Sequence, residues 1–491
     1  MTDKEIKEEL ERIDKQIENG PFKNNWESLS KITIPKWYED ACLGIFIHFS
    51  VCSQTAYANE WYPRNMYIQG TREYEHHIKT YGPHKEFGLK DFIPQFKAEK
   101  FDAKEWIDLF KESGASYVVP VAEHHDGFQM YESKISKWNA KEMGPKKDIV
   151  KELVDMTRKE GLVAGTSSHR IEHFWFLSHG KEFDSDIKEP LSRDDMYWPS
   201  MKEPEDQFDP FSIPTPDKEF LDDWLIRTVE IIDKFSPSIL YFDWWIHHAS
   251  AKEHVKKMMA YYYNHMYSIG KEGVINYKYG SIPFGCGVVD VERGQFAYAK
   301  PYIWQTDTSI GDNSWGYVPD NVYKSADRIL EDLCDIVSKN GRLLLNVGPK
   351  GNGEICEEEK EVLKKIGRWM KINSKALEGA KPFEISSEGP TKISDGYFTE
   401  KATEYTSKDF RFTSKDGKLY IIAMKKSTDS KYIVKSLARA RDGSANHFLG
   451  IIKDIKELGG SALTWKHEKD GLYIDFKSEE SGPVVFEVTF V

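Results

Sequence analysis

Asp243 closes an apolar run in the stretch SILYFDWWIHH (residues 238–248) and is followed at once by two tryptophans and two histidines. An Asp in that position often caps a helix or forms a turn. From this stretch alone the structural and chemical readings stand level. The rest of the chain shifts the balance. A first apolar run ends at His48, with Glu60 and Trp61 in the segment after it. A second ends in EHHDGF, which holds Glu123, His124, His125 and Asp126. A third ends in SSHRIEH, with His169, Glu172 and His173. A fifth ends at Lys278, and DVERG follows soon after with Asp290, Glu292 and Arg293. Singly, a histidine such as His48 is more often a hydrogen-bonded core residue than a ligand, and Trp61 more often packing. Together they make five consecutive runs that end in ionisable groups, most with aromatics close by.

Aromatics, neutral hydrogen-bonding groups and carboxylates together suit a sugar. Rings cover its C–H faces, while His, Glu and Trp N–H groups satisfy its hydroxyls. Cleaving a glycosidic bond needs two carboxyl groups, one to attack or to activate water and one to protonate the departing oxygen. Asp243, short and rigidly placed at a strand end, suits the first role. Glu292, read as lying on a flexible loop, suits the second, because an acid/base must serve both the departing alcohol and the entering water.

These groups converge only if the elements behind them form one mouth. The apolar runs are 43–49, 116–122, 161–167, 238–243, 273–279, 302–306 and 342–348. Each is near-continuous, as in strands buried on both faces. Helical segments alternate with them. In 218–235, Leu221, Trp224, Leu225, Thr228, Ile231, Ile232 and Phe235 share one face, and 146–161 behaves alike and ends at Gly161. This alternation predicts an α/β fold, an irregular (β/α)8-like barrel whose polar strand ends meet at the C-terminal mouth. The Gly- and Pro-bearing stretch 280–300 implies one crossover without a helix. After residue 372 short runs such as KLYIIAM and PVVFEVTF, divided by Gly, Asp and Ser, predict a C-terminal antiparallel β-sandwich. The expected division is an N-terminal helical leader over 1–25, the catalytic barrel over 26–372 and the sandwich over 373–491.

With 491 residues, 40% of them hydrophobic and 13% aromatic, the chain can bury a large core. A net charge of −12 argues against nucleic acid as the partner and favours a neutral substrate. The charged, amphipathic start shows no secretory signal, and no stretch of about 18 apolar residues suggests a membrane span. Five scattered cysteines (Cys42, Cys52, Cys286, Cys334, Cys356) read as free thiols. A cytoplasmic location is the expectation, although a secreted form trimmed of its signal would look the same. A homo-oligomer is compatible with all of this.

The segments LGIFIHFS, NEWYP, HHDGF, LYFD, SWGY and NGRLLLNVGP, in that order and spacing, closely resemble the signatures of the α-L-fucosidases of glycoside hydrolase family 29. The resemblance spans about residues 35–375. It implies a retaining exo-α-L-fucosidase that works by double displacement and needs no cofactor or metal, with a fucosylated glycan as its partner. It implies Asp243 as nucleophile and Glu292 as acid/base. By the same resemblance His48, Glu60, Trp61, His124 and His125 hold the fucose hydroxyls, and Phe46, Tyr241 and Trp315 form the apolar patch for its methyl group. The chain departs from the family pattern in four places. Glu123 stands where Lys is frequent, Lys278 where Arg is frequent, and Gln305 where some relatives carry Glu. The third strand reads TSSHRIEH in place of a YYS-like segment, which puts linkage preference in question and gives His169 a sugar contact.

Three rivals remain. HRIEH (169–173) fits an H-x-x-E-H zinc pattern, which suggests a metal-dependent barrel hydrolase. A catalytically silent sugar-binding protein is opposed by the presence of both carboxylates. An α-L-galactosidase on the same scaffold would act on a substrate that differs only by the C6 hydroxyl.

Overall fold

The computed structural model describes residues 1–439, 448–477 and 481–491. Eight parallel strands form the main sheet: β1 (Leu43–Ile47), β2 (Tyr117–Glu123), β3 (Val163–Ser168), β4 (Ile239–Phe242), β5 (Val274–Tyr277), β6 (Val288–Val289), β7 (Trp304–Ser309) and β8 (Gly341–Val347). Their order is β6-β5-β4-β3-β2-β1-β8-β7. Beyond β6 the chain closes the barrel against β7, through a parallel bridge between Asp290 and Gln305 and a bond from Val291 N to Gln305 O (2.9 Å). The architecture is the expected irregular (β/α) barrel. The strand that sequence runs do not mark is β6, two residues long. Both crossovers beside it lack an α-helix, where one was expected to.

The strands are buried on both faces, which is why their runs are near-continuous. Gly44 in β1 faces the Tyr117 ring, and a Cβ there would lie 2.1 Å from it. The outer helices are α1 (Asp3–Asn19), α2 (Ala103–Glu112), α3 (Ile149–Lys159), α4 (Lys218–Phe235), α5 (Lys252–Ser268), α6 (Ala326–Ser338) and α7 (Glu357–Asn373). Side-chain caps fix where several of them begin. Asp148 accepts from Lys151 N at the start of α3, and Asp217 accepts from Phe220 N at the start of α4. α1 lays Ile13 and Ile17 onto the barrel core, and its Arg12 reaches Tyr261 on α5 (2.6 Å) and Asp233 on α4 (2.7 Å).

The C-terminal region is antiparallel, as expected. Five strands run in the order β13-β16-β11-β10-β9: β9 is Lys381–Glu388, β10 Phe410–Lys415, β11 Lys418–Ala423, β13 Ile452–Glu457 and β16 Val484–Phe490. Three more, β12 (Lys431–Val434), β15 (Leu472–Asp475) and β14 (Thr464–His467), form the facing sheet. Phe412, Ile421, Tyr432, Ile474 and Phe486 fill the space between the sheets. A buried ion pair from Arg411 on β10 to Asp335 on α6 locks this region to the barrel. All five cysteines are buried and unpaired. Among the described residues no helix is long and apolar enough to cross a membrane.

Candidate active site

Strand direction brings the polar ends to one mouth, where a cavity of about 380 Å³ opens. Phe46, His48, Glu60, Trp61, His124, His125, His169, Asp243, Lys278, Glu292 and Trp315 all line it. The strand-end groups Glu123, Asp126, Glu172, His173 and Asp290 do not line it; among the residues given a catalytic or sugar-holding role, Tyr241 alone is absent from the lining. Its ring lies behind Phe46 (centroids 4.9 Å apart) and its hydroxyl donates to Asp307 (2.8 Å), so Tyr241 supports the apolar wall without forming its surface.

Asp243 follows β4 and does cap the next turn, accepting from Trp244 N at 2.8 Å through Oδ1. The capping reading and the chemical one therefore share a residue, and the cap leaves Oδ2 facing the site. That oxygen receives His125 Nε2 (3.2 Å) and His169 Nδ1 (3.1 Å), while Lys278 Nζ lies 3.2 Å from Oδ1. Burial would raise the Asp243 pKa, but the Lys278 ammonium and the two histidine bonds outweigh it and hold the carboxyl well below its usual range.

Glu292 is not on a freely moving loop. It lies in a turn just beyond β6 that is bonded on both sides, with Arg293 N bonded to Asp307 O on β7 (2.9 Å) and Phe398 N bonded to Glu292 O (2.9 Å). Its Oε2 sits 2.7 Å from Lys278 Nζ. Lys278 thus holds both carboxylates. The sum of its two contacts, 3.2 and 2.7 Å, bounds the distance from Asp243 Oδ1 to Glu292 Oε2 at about 5.9 Å. Burial pushes the Glu292 carboxyl up to about 8. Lys278 resists that rise, and the charges of Asp307 and Asp243 reinforce it. Two carboxyl groups in one cavity are driven to opposite protonation states, the arrangement that acid and base roles require.

The remaining residues set shape and polarity. His48 Nδ1 donates to Asn346 Oδ1 (2.7 Å), which turns Nε2 toward the cavity; burial keeps this ring, and that of His124, neutral. Glu60 accepts from Ser314 Oγ (3.0 Å) and Trp315 N (2.9 Å), fixing the SWGY loop over the cavity. Gly348 allows that loop to approach, since a Cβ there would lie 2.8 Å from Trp315 O. Trp315 packs 6.3 Å from Phe46 and carries the Arg293 guanidinium 4.6 Å above its ring. Trp61 meets His125 edge-on at 5.6 Å.

Two further readings change. His169 lines the cavity, but Nδ1 serves Asp243 and Nε2 faces Ser167 Oγ (3.1 Å), so it orients the Asp243 carboxylate and has no nitrogen left for a sugar. HRIEH does not assemble a zinc site. His173 Nδ1 donates to His125 O (2.7 Å), Glu172 pairs with His125, and neither joins a metal-like cluster among the described residues. The groupings that come close enough, His48–His124–His169 and His125–His169–Asp243, both require His169, whose nitrogens are engaged. Burial depresses the His125 pKa, but Glu172 and Asp243 raise it to about 10, so an imidazolium and an ammonium already flank the site and oppose a further cation. Two of the departures from the family pattern, Gln305 and Glu123, have structural partners. Gln305 accepts from Tyr38 and Tyr117 hydroxyls (2.9 and 3.0 Å) and does not line the cavity. Glu123, fully buried, is bonded to Arg170 and Arg227 (both 3.2 Å), a structural pairing remote from chemistry.

Sequence reasoning missed Asp307, Phe208, Tyr279 and Phe398, and the role of Glu172. Glu172 was visible in SSHRIEH, but its pairing with His125 depends on the turn after β3. Phe208 and Phe398 sit in segments without periodic pattern.

A carboxylate pair bridged by a cation, under aromatic walls at this end of a barrel, defines a glycoside hydrolase. Comparison narrows that class. Residues 10–375 match the family model for alpha-L-fucosidase. The tissue alpha-L-fucosidase of Rattus norvegicus is 29% identical over 442 residues, covering 88% of each chain. That of Macaca fascicularis is 30% identical over 380 residues, covering 75% of this chain and 74% of its own. The alpha-fucosidase of Thermotoga maritima, solved in complex with fucose, is similar with a TM-score of 0.74 at 29% identity, covering 95% of this chain and 100% of that one. The chain belongs to the alpha-L-fucosidase family.

Proposed function

We propose that the protein is a retaining exo-α-L-fucosidase acting on terminal α-L-fucosyl residues of glycans. The observation that carries this reading is the shared contact at Lys278. An oxygen separation bounded at about 5.9 Å fits the spacing of roughly 5–5.5 Å of retaining enzymes and is short of the roughly 6.5–9.5 Å that inverting ones need for a water. In the first step an Asp243 oxygen attacks the anomeric carbon. The bond to the leaving oxygen breaks, and that oxygen takes the Glu292 proton. In the second step water attacks the same carbon, gives its proton to Glu292, and the ester bond to Asp243 breaks.

Lys278 supports both halves. In the free enzyme it offsets the charge of Asp243. Once Asp243 is esterified and Glu292 has lost its proton, the negative charge has moved to the other carboxylate 2.7 Å from the same ammonium. His48, His124 and Glu60 face the hydroxyls. Phe46 and Trp315 supply the apolar wall for a methyl group, and a C6 hydroxyl there would lose hydration without gaining a partner.

Release of 4-nitrophenol from the aryl α-L-fucoside tests the reading, with the aryl α-L-galactoside as comparison. Wild type should prefer the fucoside, and Asp243→Ala should lose nearly all turnover. Turnover of neither glycoside by wild type, or near-normal turnover by Asp243→Ala, would reject it.

A further inference from the structure

An acid that protonates a leaving oxygen must stand beside it, so whatever flanks Glu292 at the cavity rim faces the leaving group. The flanking segment comes from far along the chain: residues 395–400, in the connection between β9 and β10. It is bonded to the turn that bears the acid and forms an antiparallel bridge just beyond it, Gly396 against Gln295. Phe398 N donates to Glu292 O (2.9 Å), Glu400 N to Arg293 O (2.8 Å) and Gly396 N to Gln295 O (2.9 Å), while Asp395 accepts from Ala297 N (2.7 Å). Its end is anchored by Glu400, which accepts from Lys324 Nζ (2.6 Å) and Thr308 Oγ1 (2.8 Å). Tyr397 stacks on Tyr279 at 4.0 Å and accepts from its N–H (2.9 Å).

Three large residues that meet here take left-handed backbone conformations: Tyr279 (φ 51°), Arg293 (φ 41°) and Phe398 (φ 53°). Side chains of this size hold such conformations only where the surroundings over-determine them, and such residues cluster at ligand clamps. The geometry delivers Phe398 to the cavity rim, where the residue is 57% exposed. Phe208, also on the rim and 56% exposed, stacks on Trp244 at 4.8 Å and meets Tyr279 at 5.4 Å. Two exposed rings continuous with a sugar-sized cavity suit the C–H faces of a second pyranose.

We propose that segment 395–400 builds the subsite for the leaving group, with Phe398 and Phe208 as platforms for a second neutral sugar ring, so that the enzyme favours fucosyl oligosaccharides over fucosides with small leaving groups. This rests on the fucosidase reading above. The test compares kcat/KM on a fucosyl disaccharide with kcat/KM on α-L-fucosyl fluoride, whose leaving group is one atom. The ratio of the two should fall by about tenfold or more in Phe398→Ala and in Phe208→Ala, mostly through the KM for the disaccharide, and Phe398→Trp should restore it. The two alanine variants lie on separate segments, so misfolding of one leaves the other informative. Ratios within about twofold of wild type in the folded variants would overturn the subsite. Wild type that turns over neither substrate would instead overturn the fucosidase reading.

Discussion

Glu292 offers the sharpest quantitative prediction. Its carboxyl is raised from an ordinary 4.5 to about 8, by burial first and then by the charges of Asp307 and Asp243, against the pull of Lys278. The working form is the protonated one, so activity is complete below that value and is lost as pH rises through it. At pH 7 a group with a pKa of about 8 is roughly 90% protonated, whereas one at 4.5 would be roughly 0.3% protonated. The site therefore gains about 300-fold in the competent form. kcat/KM for a fucosyl disaccharide, which reports the free enzyme, should stay level from mildly acid pH to about 7 and then fall tenfold per unit above about 8. Glu292→Gln should abolish that limb and cost about 10²–10⁴ in rate on the disaccharide, with a smaller loss in the first step for α-L-fucosyl fluoride, which departs without a proton. A limb near pH 8 that survives in Glu292→Gln, or a loss of under about tenfold on the disaccharide, would refute the assignment of the acid.

Other outcomes follow from the same geometry. Lys278→Met removes the cation that helps keep Asp243 ionised, so the acid limb of kcat/KM should move upward and activity be lost at a higher pH than in wild type; an unmoved limb would mean that Lys278 does not govern Asp243. Arg227→Met leaves Glu123 and Asp223 short of a buried partner and should cost about 3–5 kcal/mol in denaturant unfolding, with no gain of acid/base function at position 123. Chelator treatment should leave turnover unchanged and metal analysis should find substoichiometric zinc; activity that chelation removes and zinc restores would revive the metal reading.

What was legible in the sequence follows from what is local. Near-continuous apolar runs marked seven of the eight barrel strands because each is buried on both faces. The polar residue after each run marked the mouth because parallel strands all point the same way. β6 carries no sequence mark because two valines have no period, and the bonded turn beyond it that holds Glu292 is equally unmarked. The family resemblance puts Tyr241 in the apolar patch, and its position in the run does not say which layer its ring occupies. HRIEH suggested a metal because ligand spacing says nothing of tautomers: His169 and His173 each commit a nitrogen to a partner distant in sequence. Phe398 lies more than 100 positions from Glu292, and nothing local announces that a connection in the C-terminal sheet returns to the acid.

The most direct test of the whole account is the chemical identity of the intermediate. Reaction with 2-deoxy-2-fluoro-α-L-fucosyl fluoride, which slows the second step, followed by proteolysis and mass spectrometry, should find one fluorofucosyl group esterified to Asp243. An enzyme that turns over substrate but accumulates no adduct, or carries it on another residue, would contradict the account.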